Sequence, residues 1–380
     1  MDFSLTAEQK QIRGMVSEFV DEEVVPVAAE IDAEDEFPAD LVREMGELGL
    51  MGMPFPEAYG GAGLDYHSYA IGLAEISRGS GGLGTIVAAH TSLAGNMLYA
   101  FGNEQQKEAY LTPLAEGRDI GAFALSEPQA GSDVPAMETT AERDGDEYVI
   151  NGGKLWISNG SVADTVTLFA KTDPEAGSKG ISSFVVRPDE DEGFHVEGTE
   201  HKLGDKGCPT AELRFSDMRL PEERLLDEEG DGFIHALKTL NGGRITIAAR
   251  GVGIAQAALD EALQYSQERE QFDQSISEFQ SIQHKLADMD TKVNAARLLM
   301  HKAADLKIRG DSFIKEAAQA KLYASEVSRE VANEGIQIHG GYGYTKDFPA
   351  ERFYRDAKLN EIYEGTSEVL RNTIAQQLLD

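Results

Sequence analysis

Cysteine is almost missing from this chain: Cys208 is the only one in 380 residues. No intramolecular disulfide can form, and a cysteine-rich metal site is excluded. Basic residues are scarce, with 34 Lys+Arg against 67 Asp+Glu and a formal net charge of −33. Nucleic-acid binding needs clustered Lys and Arg to displace counterions from phosphates, so it is not expected, and an anionic membrane surface is equally disfavoured. No uninterrupted apolar run approaches the ~18 residues of a spanning helix. The start, Met1-Asp2-Phe3-Ser4-Leu5, lacks the basic and apolar regions of a secretory signal, so a soluble, cytoplasmic protein without membrane insertion is expected. The eight histidines are scattered, none in an H-E-x-x-H arrangement, and no metal site is expected. Without a secretory signal, the sequon Asn159-Gly160-Ser161 is irrelevant.

What is present is enough apolar material for a core, 41% of residues against 27% charged, so global disorder is not expected. The acidic residues are dispersed, from Asp21-Glu22-Glu23 through Asp189-Glu190-Asp191-Glu192 to Asp227-Glu228-Glu229. Two readings compete: an acidic face for a partner, or a generally acidic surface suited to concentrated salt. The dispersal favours the second, because self-repulsion is tolerable where the Debye length is a few ångströms.

The length predicts two or three domains. Residues 1–118 read as an N-terminal helical domain. Thr6 with Gln9 forms a capping-box pattern, and Ile12, Val16, Phe19 and Val20 mark one apolar face. Pro54, Pro56 and Gly60–Gly63 mark a loop, and helical character returns over Tyr66–Ser77 and Thr85–Phe101. Gly79-Ser80-Gly81-Gly82-Leu83-Gly84 matches G-x-G-x-x-G but follows a helix instead of a strand, so it reads as a loop and not a dinucleotide site.

Residues 119–228 read as a mainly antiparallel β domain, with runs at Thr165–Lys171, Ile181–Arg187 and Ala211–Phe215. Tyr148-Val149-Ile150 is expected to be a strand entering a tight turn at Asn151-Gly152-Gly153. Residues 229–380 read as an antiparallel helical bundle, with Leu286, Met289, Val293, Ala296 and Met300 at helical spacing. Arg352, Arg355 and Lys358, amid Glu351 and Asp356, read as a surface ion-pair network. The fold class is α+β, mainly helical.

Three stretches carry possible chemistry. Phe123–Asp133 places Pro, Gly and Ser in a turn whose hydroxyls and N–H groups can face a ligand. Lys154–Gly160 holds the only tryptophan beside a serine, able to wall a flat heterocycle. Ile362-Tyr363-Glu364-Gly365-Thr366-Ser367 sets a carboxylate beside a glycine that permits close approach of a ligand. Each alone reads as ordinary structure, the first two as hairpin core and the third as a solvated helix end.

Together, and in this order, they resemble the signatures of the acyl-CoA dehydrogenase family. The likeness extends to Tyr265–Phe272, Phe279–Gln283, Gln337–Gly343 and Glu361–Ser367, so it spans essentially the whole chain. Ser126 stands where threonine is common in the family. The resemblance implies FAD as cofactor. Phe123, Leu125, Ser126, Gly131, Ser132, Trp156, Ile157 and Ser158 would then cradle the isoalloxazine, with Thr366, Ser367 and Glu368 completing that site. It implies that Arg269, Phe272, Gln280, Gln337, Ile338, Gly340 and Gly341 hold the ADP half across a subunit interface, in a homo-oligomer, usually a tetramer. Ser132, Asn241, Arg244 and Gly365 would touch the acyl-CoA, with Arg244 near its adenine or phosphates. Glu364 matches the catalytic base; some relatives carry it near residue 243, which here is Gly243.

The implied activity is α,β-dehydrogenation of an acyl-CoA to a trans-2-enoyl-CoA, with an electron-transfer flavoprotein as acceptor. Motif spelling is closest to the short-chain (butyryl-CoA) subgroup. The alternatives are an oxidase-like relative using oxygen and a non-catalytic acyl-CoA-binding scaffold. Asp273, where glycine is usual, and His339, where an apolar residue is common, depart from the pattern on the ADP side.

Overall fold

The computed structural model describes residues 4–379; Met1–Phe3, within the start read above, and Asp380 lie outside the described residues. Helix α1 (Ala7–Phe19) begins at the expected capping box: the Gln9 N–H donates to Thr6 Oγ1 at 3.1 Å, and the Thr6 N–H donates to Gln9 Oε1 at 3.0 Å. Its buried face contains Ile12, Val16 and Phe19. Helices α2 (Ala28–Glu34) and α3 (Ala39–Glu47) follow, and then the Pro/Gly loop. Next come α4 (Tyr66–Gly79), α5 (Gly81–Val87), a π-helical stretch at Ala88–Gly95, α6 (Asn96–Phe101), and the short α7 (Glu104–Gln106) and α8 (Thr112–Ala115).

The Gly79–Gly84 segment is not a loop. Only Ser80 separates α4 from α5, and its hydroxyl caps α5 by accepting from the Leu83 N–H at 3.3 Å. Close packing explains the glycines: a Cβ at Gly82 would lie 2.1 Å from the Lys206 carbonyl oxygen, and one at Gly84 would lie 2.2 Å from Ser77 Oγ.

The middle of the chain forms a seven-stranded sheet in the order β1-β4-β2-β3-β7-β6, with β5 paired to β4. The strands are β1 (Gly121–Ala124), β2 (Thr140–Asp144), β3 (Glu147–Ser158), β4 (Thr165–Lys171), β5 (Ile181–Val186), β6 (Phe194–Thr199) and β7 (Thr210–Pro221). Most pairings are antiparallel; β4 runs parallel to β1 and β2. The expected turn at Asn151–Gly153 is absent. Strand β3 runs straight through it, with a register shift between Ile150 and Gly152, and the chain reverses at Gly145 instead. Gly152 has φ +145°, and a Cβ there would sit 2.6 Å from Thr139 Oγ1, so the glycine serves a bulge against a neighbour.

A small hairpin, β8 (Glu270–Gln271) and β9 (Gln274–Ser275), separates the long helices α9 (Gly232–Glu268) and α10 (Gln280–Ile308). Helices α11 (Ile314–His339), α12 (Ala350–Leu359) and α13 (Ser367–Leu379) complete the bundle. Part of the expected ion-pair network around α12 forms, with Arg355 bonding Glu351 and Asp32 and Lys358 bonding Glu361, but Asp356 is buried and accepts from the Asp205 N–H at 2.6 Å. Arg352 instead lies over the Phe353 ring.

Helix α9 is buried along most of its length because small residues admit its neighbours. Gly253 packs on the Ala74 carbonyl of α4, and Gly251 packs on Ala324 of α11. As a result, the N-terminal helices and the C-terminal bundle share one hydrophobic core. The sheet has its own core, built around Ile150, Leu168, Phe184 and Leu213. A third cluster joins the two layers, with Leu93, Met97 and Ala236 meeting Phe123, Leu125 and Phe169. No helix among the described residues is long and apolar enough to cross a membrane.

Candidate active site

Glu364 lies in the turn between α12 and α13. It has φ +50°, a left-handed conformation uncommon for a residue with a side chain, and Gly365 follows at φ +96°. Strain of this kind persists only where surrounding structure enforces it. Lys321 of α11, fully buried, donates to the carbonyls on either side of Glu364: Tyr363 O at 2.7 Å and Gly365 O at 2.5 Å.

Glu364 Oε2 is shut off from solvent and has no hydrogen-bond partner among the described residues. Burial pushes the carboxyl up to about 7, against the opposing charges of Lys321, Arg244 and Arg250. Arg244 is 7% exposed. Its Nη1 donates to Asn241 Oδ1 at 2.7 Å, while its Nε has no partner. The Arg244 guanidinium lies inside, within 3.8 Å of where a Gly365 Cβ would stand. Tyr363 Oη and Ser367 Oγ are likewise buried without partners. Tyr363 faces the interior, under Arg250, whereas the unpaired atoms of Glu364 and Arg244 lie together and mark a place able to receive a polar ligand.

The second group lies on the sheet. Phe123 and Leu125 are held in the joining cluster, and Phe123 meets Phe169 edge-on with centroids 4.9 Å apart. Ser126 is half-buried, and its carbonyl accepts from the Leu155 N–H at 2.9 Å. Gly131 and Ser132 are exposed on the turn. Trp156 stands at φ +61°, beside a register shift in β3, and is 55% exposed. A large aromatic ring held out of the core by a strained backbone is a surface offered to a flat partner. Ile157 is buried and Ser158 half-buried next to it.

Beneath this wall, Lys154 Nζ donates to Glu127 Oε1 at 2.7 Å and to Leu125 O at 3.1 Å, with side-chain exposures of 0% and 3% for Lys154 and Glu127. Glu127 also accepts from the backbone N–H groups of Glu138 and Thr139. The pair fastens the Phe123–Ser132 turn to the strand that carries Trp156. Thr366 Oγ1 accepts from the Val369 N–H at 3.2 Å, capping α13, and Glu368 is exposed.

The remaining expected residues lie at the C-terminal ends of α9 and α11, in the β8–β9 turn and at the start of α10. Arg269 lies over the Tyr342 ring, Phe272 is 88% exposed, Gln280, Gln337, Gly340 and Gly341 are exposed, and Ile338 is buried. Phe272 and Asp273 are the central pair of the β8–β9 turn, both with positive φ, +55° and +65°. Such a turn favours glycine, and aspartate tolerates the conformation better than most residues. His339 is a core residue, stacked on Tyr265 at 4.2 Å with its Nδ1 2.7 Å from Gly335 O.

Lys321, Lys154 and Glu127 were not singled out from the sequence as site residues. For Lys321 a signal existed: it interrupts a run of small residues, Ala317, Ala318, Ala320 and Ala324, that lie on the buried side of α11.

A weakly solvated carboxyl with unpaired buried polar atoms beside it, and an exposed aromatic ring on the sheet, are two surfaces able to take a polar ligand and a flat one. Residues 6–118 match the acyl-CoA dehydrogenase N-terminal domain, residues 122–218 its middle domain and residues 230–379 its C-terminal domain. The chain is 49% identical over 378 residues to the short-chain specific acyl-CoA dehydrogenase of Clostridium acetobutylicum, covering 100% of both. It superposes on butyryl-CoA dehydrogenase from Megasphaera elsdenii with a TM-score of 0.98 at 42% identity, covering 100% of both chains. A chain in the structure of the electron transferring flavoprotein of Acidaminococcus fermentans, studied for flavin-based electron bifurcation, matches with a TM-score of 0.98 at 47% identity, again over 100% of both. This chain belongs to the acyl-CoA dehydrogenase family. It is an oxidoreductase whose cofactor is FAD. The exposed Trp156, the open turn at Gly131 and the unpartnered Ser367 hydroxyl fit such a group.

Proposed function

We propose that Glu364 is the base in the dehydrogenation of a short-chain acyl-CoA to its trans-2-enoyl-CoA. The observation that carries this is its solvent-shielded, unpartnered Oε2. A proton α to a thioester is weakly acidic, and a carboxylate with little solvation and a pKa near neutrality is suited to take it. Glu364 removes that proton while its backbone N–H donates to the thioester oxygen, where negative charge develops. Bound FAD supplies the acceptor for the hydride that leaves the β carbon. Phe123, Leu125, Trp156, Ile157 and the Ser126, Ser132, Ser158, Thr366 and Ser367 hydroxyl-bearing positions would hold the ring system, with Gly131 and Glu368 at its edges. Asn241, Arg244, Ser132 and Gly365 would touch the acyl-CoA; the place expected for Arg244, near the CoA adenine or phosphates, is corrected, because its guanidinium is buried beside Gly365 and Glu364. The burial of Arg244 beside Glu364 supports a role near the reacting end of the substrate.

Arg269, Phe272, Gln280, Gln337, Ile338, Gly340 and Gly341 form their own group, with no hydrogen bond or ring contact to the Trp156 group among the described residues. The exposure of Phe272, Gln280, Gln337, Gly340 and Gly341 supports their facing a second copy of the chain and the ADP half of its FAD, within a tetramer. The match to the electron transferring flavoprotein structure supports such a flavoprotein as electron acceptor, and the bacterial relative supports a cytoplasmic location.

The test is anaerobic titration of the purified protein with acyl-CoAs of increasing length. Butyryl-CoA should bleach the visible flavin band fastest. A flavin that no acyl-CoA bleaches, but that binds them, would establish the scaffold reading instead. Rapid peroxide release in air without a carrier would establish the oxidase.

A further inference from the structure

We infer that Lys321 is a positioning residue for the proton-abstracting carboxylate: its ammonium, donating to the carbonyls on both sides of Glu364, holds that residue in its left-handed turn. The inference rests on the assignment of Glu364 as base.

The placement follows from α11. Lys321, Ser325, Ser328 and Arg329 fall at i, i+4, i+7 and i+8, one stripe of the helix. That stripe is polar although most of the face around it is alanine and valine. Each member reaches the Asn360–Gly365 segment. Ser325 Oγ donates to Asn360 O at 2.9 Å, Ser328 Oγ accepts from Asn360 Nδ2 at 3.3 Å, and Arg329 Nε donates to Glu361 at 2.7 Å. Lys321 supplies the last attachment, at Tyr363 and Gly365.

A turn needs only neutral donors to be fastened, yet the donor nearest Glu364 is a fully buried ammonium. Burying a cation is costly unless something nearby stabilises it. Here two carbonyl dipoles and the Glu364 carboxylate, the latter through space without a hydrogen bond, offset part of that cost; burial still pushes the Lys321 ammonium below its ordinary range. Reciprocally, the ammonium favours the ionised carboxylate that abstracts the proton. The groups facing Glu364 are Lys321 from α11, Arg244 and Arg250 from α9, Tyr66 and Tyr69 from α4, and Tyr363 beside it. Lys321 heads the charges that favour ionisation.

The test compares Lys321→Met with the unaltered holoenzyme. FAD content and acyl-CoA affinity should change little, while anaerobic flavin reduction slows about tenfold or more, as expected for a displaced base. The midpoint of its pH profile should move up by about one unit or more, as expected for loss of a neighbouring opposite charge. An independent reading is the pH-difference infrared spectrum of the substrate-free protein, with the Glu364 band assigned through Glu364→Gln; that band should titrate at higher pH in Lys321→Met. Should Lys321→Met fail to fold, Lys321→Gln, which keeps an N–H donor but no charge, carries the same readings. An unchanged rate and midpoint, or a slower rate with an unchanged midpoint in both measurements, would overturn the inference. If the unaltered enzyme itself is not bleached by any acyl-CoA, the assignment of the reaction has failed, and the infrared titration still decides whether Lys321 governs Glu364.

Discussion

A β carbon on residue 243 would stand 2.2 Å from Glu364 Oε2, so the carboxylate occupies the space that Gly243 leaves open. The same point lies 3.1 Å from Leu93 Cδ2, which closes the other side. Helix α9 and the α12–α13 turn are therefore matched at this contact, one yielding its side chain to the other. Gly243→Ala should fold, because the position is helical and alanine is favourable there. It should displace Glu364 and slow flavin reduction by about a hundredfold. Reduction at the unaltered rate would show that the carboxylate has another resting place.

The pH dependence has a definite sign. Glu364 sits above its ordinary range, at about 7, because burial disfavours the charged form. Proton abstraction needs that charged form, so the rate of flavin reduction should rise with pH through about 7 and level off above it. Glu364→Gln should abolish this limb and cost about 10²–10⁴-fold or more in rate while leaving FAD bound. A flat profile in the unaltered enzyme would remove the carboxyl as base.

Trp156 is the only tryptophan, so emission from the protein reports on one place. If its exposed ring faces the flavin, apoprotein prepared by removing FAD should fluoresce more strongly, and adding FAD back should quench it. Emission insensitive to FAD would move the isoalloxazine away from β3.

The buried Lys154–Glu127 pair ties the Ser126 turn to the Trp156 strand. Removing one partner strands the other inside the protein, at about 3–5 kcal/mol. Lys154→Met should lower the Tm and weaken FAD retention together, measured by thermal unfolding and by flavin loss on gel filtration. Full retention of FAD at an unchanged Tm would show the clamp to be dispensable.

The net charge of −33 predicts a salt response. Raising KCl from ~0.1 M to ~1 M shortens the Debye length from ~10 to ~3 Å and relieves self-repulsion. The Tm should rise over that range. A flat or falling Tm would remove the reading of a salt-adapted surface.

The sequence by itself determined the order of helices, strands and helices, because helical spacing, caps and β-branched runs are local signals. The Thr6–Gln9 box and the Met289–Met300 face are examples in which one stretch of chain contains the whole cause. The motifs that place the chain in its family were legible too, because each is a continuous stretch, while the role proposed for Glu364 came from that resemblance and not from its own neighbours. Tertiary structure decided the rest. It turned Asn151–Gly153 from a turn into a bulge, because Thr139 packs where a Cβ would be, and it turned Gly79–Gly84 into a junction of two helices packed on Lys206 and Ser77. It placed Lys321 against Tyr363 and Gly365, residues more than forty positions away. Local sequence cannot encode such neighbours: burial, charge coupling and the space between two helices depend on atoms brought together only when α9, α11 and the α12–α13 turn pack.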